Sequence, residues 1–182
     1  LTALAGPSDA ATFAIVQRLF SVVPMGLAMV WVPLWPTYRD ALAAGDNDWV
    51  ARTFRRSVLA ATGLAAIAGA CLALGFEPIT MFWLGRAVPT SVLLLVGFAT
   101  WCVADAAGAA VATFLNAAEI MRPQLMVAAA LVLLGLPLKV WAASVHGADG
   151  VILTTLCLRM LVNLLPLYLF RRRIAAAIWN RT

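Results

Sequence analysis

Thr155, Arg159 and Asn163 recur every fourth residue within an apolar run, so on a helix they make one polar stripe. Asp105 lies inside a second apolar run, and Lys139, beside Pro137, inside a third. Arg18 and Gln17 stand near the start of a fourth. Such residues can do two kinds of chemistry in apolar surroundings. They can pair, Asp105 with Arg159 or Lys139, and only hold helices together. They can also line a cavity whose surplus positive charge takes an anionic group. The count favours the cavity: Arg159, Lys139 and Arg18 face a single acid, Asp105, with Asn163 as a further polar contact. No catalytic constellation appears. His146, the one histidine, stands in a connection beside Gly147 with no cysteine, histidine or acid cluster, and is expected to face solvent. Cys71, Cys102 and Cys157 are too dispersed for a metal motif and read as small buried apolar groups. There is no glycine-rich phosphate loop. No catalytic residue, metal site or cofactor is expected, and the chain does not read as an enzyme.

The elements that carry these residues follow from composition. The 182 residues are 64% hydrophobic and 12% charged, with a mean hydropathy of +0.95. Soluble domains are about 45–50% apolar and about 25% charged. The chain is therefore expected to be an all-α integral membrane protein. Five windows reach the ~20 apolar residues that a spanning helix needs: 13–38, 58–83, 88–116, 124–145 and 150–170. Their polarity does not alternate, which argues against barrel strands. A charge at mid-membrane costs about 2.5–3.5 kcal/mol on insertion scales, so Arg159, near the middle of the last window, demands a reason.

The net charge of +5 sits between the apolar runs, which favours membrane orientation over nucleic acid as its purpose. The connection 39–57 carries Arg39, Arg52, Arg55 and Arg56, the third connection Arg122, and the basic tail 171–182 carries Arg171, Arg172, Arg173 and Arg181. Arg86 stands alone on the other side. The positive-inside rule then predicts a cytoplasmic C-terminus and an external Leu1. Leu1–Ala11, with Gly6, Pro7, Ser8 and Asp9, reads as a loop, and the chain is expected to be a fragment of a longer protein that starts just after an apolar helix.

In the first span Pro24 and Pro33 predict kinks, with Pro36 near its end. Trp31, Trp35 and Tyr38 suit an interfacial aromatic belt. Gly45–Asp48 predicts a turn, with Asp46 or Asp48 capping a short amphipathic helix. In that helix Trp49, Val50 and Phe54 are expected to meet lipid while Arg52, Arg55 and Arg56 meet water. It reads as a surface linker or as a coupling element between moving helices. The repeats Ala65–Gly69 and Ala104–Gly108–Ala112 predict close helix packing.

The run RLFSVVPMGLAMVWVPLWPTYRDALAAGDNDWVARTFRRS (18–57) resembles the Wzx-like lipid-linked oligosaccharide flippases of the superfamily that also holds the multidrug and toxic compound extruders. ITMFWLG (79–85) and TFLNAAE (113–119) are also similar to that family. The resemblance implies a fold of two six-helix lobes, of which these spans would be the last five helices of the second, the N-terminal lobe being a missing part of the same chain. It implies a multi-pass transporter of the bacterial inner membrane, surrounded by membrane lipids. Such a transporter flips an undecaprenyl-pyrophosphate-linked oligosaccharide by alternating access, for polysaccharide biosynthesis. The assignment of Arg159, Lys139, Arg18, Asp105 and Asn163 to a cavity rests on charge and depth, not on a family motif. The alternatives are a cation-coupled drug extruder of the same superfamily, a membrane-embedded enzyme of glycan assembly, and a purely structural subunit.

Overall fold

A computed structural model describes residues 6–169, with backbone alone at 122, 123, 127, 130, 131 and 162–169. The basic tail lies outside the described residues, and so do the side chains of Arg122 and Asn163. Every described element is a helix: α1 (Pro7–Phe20), α2 (Val22–Trp31), α3 (Leu34–Ala43), α4 (Asn47–Leu74), α5 (Phe76–Leu84), α6 (Val92–Ala117) and α7 (Arg122–Leu169). Among the described residues four stretches are long and apolar enough to cross a membrane: Pro7–Ala43, Asn47–Leu74, Val92–Ala117 and Val132–Leu161. The chain is a membrane-embedded, multi-pass, all-helical protein.

The first of these stretches is built from three helices, because each proline opens a helix. Pro24 and Pro36 lie in the first turns of α2 and α3, where a missing N–H costs nothing, and Pro33 caps α3. The carbonyls the prolines leave free find other donors. Pro24 cannot reach Phe20 O, and the buried Cys102 thiol donates to that oxygen at 3.5 Å. Pro36 cannot reach Val32 O, and Trp35 N donates to it at 3.4 Å. The helix also begins earlier than the polar start of the chain suggests. Gly6, at φ +90°, precedes Pro7, so the expected loop is half helix.

The last stretch straddles a break. Gly147 has φ 57° and ψ −139°, a conformation essentially restricted to glycine. The arms of α7 fold back on each other there. A Cβ on Gly135 would lie 3.0 Å from Leu158 Cδ1, and one on Gly150 would lie 2.5 Å from Ala142 O. The expected boundary between windows 124–145 and 150–170 falls at this glycine.

α6 runs through the centre and packs most extensively on α4, then on α7. Small residues set those distances: a Cβ on Gly69 would be 3.2 Å from the Ala99 backbone, and one on Gly97 would be 2.8 Å from Ile152 Cγ1. Ala61 and Ala65 are fully buried on the same face of α4. Two cores result. One gathers Val16, Phe20, Trp31, Phe98, Cys102 and Ile152; the other gathers Tyr38, Val50, Phe114 and Leu115.

Candidate functional site

The two arms of α7 and the middle of α6 enclose a cleft of about 360 Å³. α6 contributes Trp101 and Asp105, four residues apart on one face. The first arm contributes Val132, Gly135, Leu136 and Lys139, and the second Thr155, Leu158 and Arg159. Gly135 brings the arms close, and Lys139 stands one turn along the same face. Thr155 spends its hydroxyl proton on Val151 O at 2.7 Å, leaving the oxygen free to accept.

Arg159 Nη2 donates to Asp105 Oδ1 in an ion pair that joins α6 to the second arm. Asp105 is the more enclosed partner, its side chain 19% exposed against 34% for Arg159. The pair does not exhaust the arginine, since Arg159 Nε is buried without a partner among the described residues. Lys139 is half-buried and has no carboxylate partner among the described residues. One acid therefore faces two bases, and the cleft holds one surplus positive charge among apolar walls. Such a charge is poorly screened and attracts an anion more strongly than it would in water.

The structure brings together Asp105, Lys139 and Arg159, with Thr155 of the predicted stripe. Asn163 follows one turn beyond Arg159 on the backbone of the second arm, its side chain outside the described set. Arg18 is not part of the cleft. It is exposed at the end of α1 and lines a separate groove against α5. Asn116 is absent from the cleft as well; it is exposed and accepts from Gln124 Nε2 at 3.1 Å. Trp101, Gly135 and Leu136 were missed by charge-led reading. Their signal is register: Trp101 precedes Asp105, and Gly135 precedes Lys139, by one helical turn.

At the arginine-rich end the connections are tightly built. α3 ends in a Schellman motif with Gly45 at φ +74° and Asp46 N donating to Ala41 O at 3.0 Å. Asp46 then caps α4 by accepting from Trp49 N at 3.0 Å. α6 ends in the same motif, Ile120 N donating to Leu115 O at 2.9 Å, but with Glu119 at φ +61° in the place that favours glycine. Arg39 Nη2 donates to Glu119 at 3.2 Å and ties the two turns together. The amphipathic segment is no separate helix but the first turns of α4. Arg52, Arg55 and Arg56 are exposed as expected. Val50, however, is fully buried, Phe54 stacks on Phe114 with centroids 4.8 Å apart, and Trp49 meets the edge of Tyr38. These side chains face protein rather than lipid. Tyr38 and Trp31 likewise leave the expected belt for the cores; Tyr38 shares a hydrogen bond with Ser57 Oγ at 3.1 Å. Trp35 alone fits the belt, exposed beneath the Arg39 guanidinium.

At the opposite end Asp9, Pro89–Ser91 and His146–Asp149 surround one polar hollow. Ser91 caps α6 and donates to Asp149 Oδ1 at 2.6 Å. His146 is exposed there, as expected. Cys71 and Cys157 are exposed on the helix surface, against the expectation of burial; only Cys102 is buried. The first and third connections thus share one end and the second and fourth the other. Comparison with known proteins finds no matching family model, no matching curated protein and no matching solved structure.

Proposed function

We propose that this chain is the second-lobe part of a membrane transporter that moves an undecaprenyl-pyrophosphate-linked oligosaccharide across the bacterial cytoplasmic membrane by alternating access. The lobe would belong to the extruder-like fold, with the arginine-rich end in the cytoplasm. The observation that carries this reading is the surplus charge of the cleft: Lys139 has no carboxylate partner among the described residues, beside a neutralised Asp105–Arg159 pair. A pyrophosphate is the kind of group such a cleft accepts, through charge-assisted hydrogen bonds from a guanidinium and an ammonium. The resemblance of 18–57 to the oligosaccharide flippases supports the same reading.

Lys139→Ala is the cleanest test, because it removes the surplus charge and leaves the ion pair whole. In the complete protein, expressed in a strain without its own flippase, Lys139→Ala is expected to reduce surface glycan at least tenfold at unchanged membrane levels. Normal surface glycan would exclude this role for the cleft. If the variant instead altered only resistance to cationic drugs, the extruder reading would replace the flippase. The drug-extruder alternative wants a free acid in its cavity, and here Asp105 is already occupied by Arg159.

A further inference from the structure

Arg18, left out of the cleft, ends α1 in an unusual setting. Ser21 stops that helix, its hydroxyl turning back to donate to Arg18 O at 2.7 Å. A groove of about 600 Å³ lies between α5 and this junction of α1 with α2, walled by Leu19, Val22, Pro78, Ile79, Phe82 and Trp83. That is the size of a small-molecule site rather than a packing defect. Arg18 is the single charged residue lining it among the described residues. Among the described residues no acid lines it: Glu77, beside Pro78, lines a different hollow with Ala87–Thr90, and Asp9 lines the hollow with Ser91 and His146. Arg18 makes no ion pair among the described residues.

Depth identifies the occupant. Arg39, at the arginine-rich end, lies 21 residues after Arg18 on the same kinked span. At 1.5 Å per residue the two are ~32 Å apart, close to the ~30 Å thickness of the hydrocarbon core. With Arg39 among the headgroups of one leaflet, Arg18 reaches those of the other. Phe82, 94% exposed, and Trp83 extend the apolar wall at that level.

We propose that this groove binds an anionic phospholipid, its phosphate on the Arg18 guanidinium and an acyl chain along Leu19, Val22, Ile79 and Phe82. A guanidinium grips phosphate bidentately, and the apolar wall continues directly from it, as headgroup and chain do in a lipid. A zwitterionic lipid would bring a second, cationic group for which the groove has no acid. This inference does not depend on the transport reading.

The test is lipid retention by the purified full chain, delipidated in detergent, offered dioleoyl phosphatidylglycerol, dioleoyl phosphatidylcholine or inorganic phosphate, and read by native mass spectrometry. The wild type is expected to retain phosphatidylglycerol in preference to the other two. Arg18→Ala is expected to weaken that retention about tenfold, the loss of one charge-assisted contact. Arg18→Lys keeps part of it, and Arg86→Ala leaves it unchanged. Ile79→Trp fills the groove without touching the charge and is expected to lose the lipid as Arg18→Ala does; it decides the matter if Arg18→Ala does not fold. Equal retention by wild type and both groove variants overturns the proposal. So does inorganic phosphate bound as tightly as lipid, or a photo-crosslinker replacing Phe82 that captures a protein segment instead of lipid.

Discussion

Two ion pairs invite comparison. Arg39–Glu119 lies at the arginine-rich end with side chains 56% and 69% exposed. Arg159–Asp105 lies in the cleft, with its carboxylate side chain 19% exposed. The first joins two helix turns whose backbone groups are already satisfied, above an aromatic core of Tyr38, Phe54 and Phe114. Among the described residues, the second leaves Arg159 Nε without a partner and has Lys139, which has no carboxylate partner, for a neighbour. A pair in a satisfied setting is a fastening. A pair that leaves donors over, in a low-dielectric cleft, is a place where an incoming anion finds partners waiting.

The largest effect should come from unbalancing the cleft. Asp105→Ala strands a partly enclosed guanidinium and is expected to lower stability by about 3–5 kcal/mol, measured by unfolding in mixed micelles. Asp105→Leu combined with Arg159→Met should recover most of that loss while abolishing transport. If the double variant still transports, the comparison fails.

At the other end the aromatic core, not the ion pair, should dominate. Tyr38→Phe leaves the Ser57 hydroxyl without its partner and is expected to cost about 1–2 kcal/mol. Between the two regions, Cys102→Ala removes the donor to the carbonyl that Pro24 frees, a loss of about 1 kcal/mol. Pro24→Ala restores a backbone donor, so Cys102→Ala on that background should lose only the packing of its sulfur; an unchanged penalty would remove the thiol's role. The smallest effect belongs to the exposed pair. Arg39→Ala is expected to change stability by less than about 1 kcal/mol, and Glu119→Gly to be neutral or stabilising, since relief of a positive φ offsets a weak contact. A large loss in either would make the two pairs alike.

The all-helical, apolar character of the described residues, the break near Gly147, the proline corners and the Asp46 cap could be read from residue order; the ends of the spans could not, since window 58–83 is divided between α4, which starts at Asn47, and α5. Each legible feature is a local matter: a run of apolar residues, a missing N–H, a φ that only glycine favours. Faces were harder to read. Trp49, Val50 and Phe54 form a stripe opposite three arginines, and the stripe is real. Lipid and protein core are both apolar, however, so periodicity cannot tell which of them the stripe meets. Phe114, sixty residues away from Phe54, decides it. Tyr38 and Trp31 were misplaced for the same reason, and Cys71 and Cys157 in the opposite sense. In the cleft Asp105, Lys139 and Arg159, all singled out by charge, come together. Arg18 lies apart from them in another groove, because depth along the membrane is legible in sequence while rotation about a helix axis is not.

The turn at Gly147 also bears on how the chain enters the bilayer. As an unbroken rod the 48 residues of α7 would measure ~72 Å, more than twice the hydrocarbon thickness. Folded at one residue, they become a hairpin with almost no loop to translocate. Lys139 and Arg159 would each be unwelcome in lipid alone, yet both lie on the inner side of that hairpin, facing Asp105 on a helix made earlier. The two arms are therefore expected to leave the insertion machinery as a unit, with their charges already turned inward.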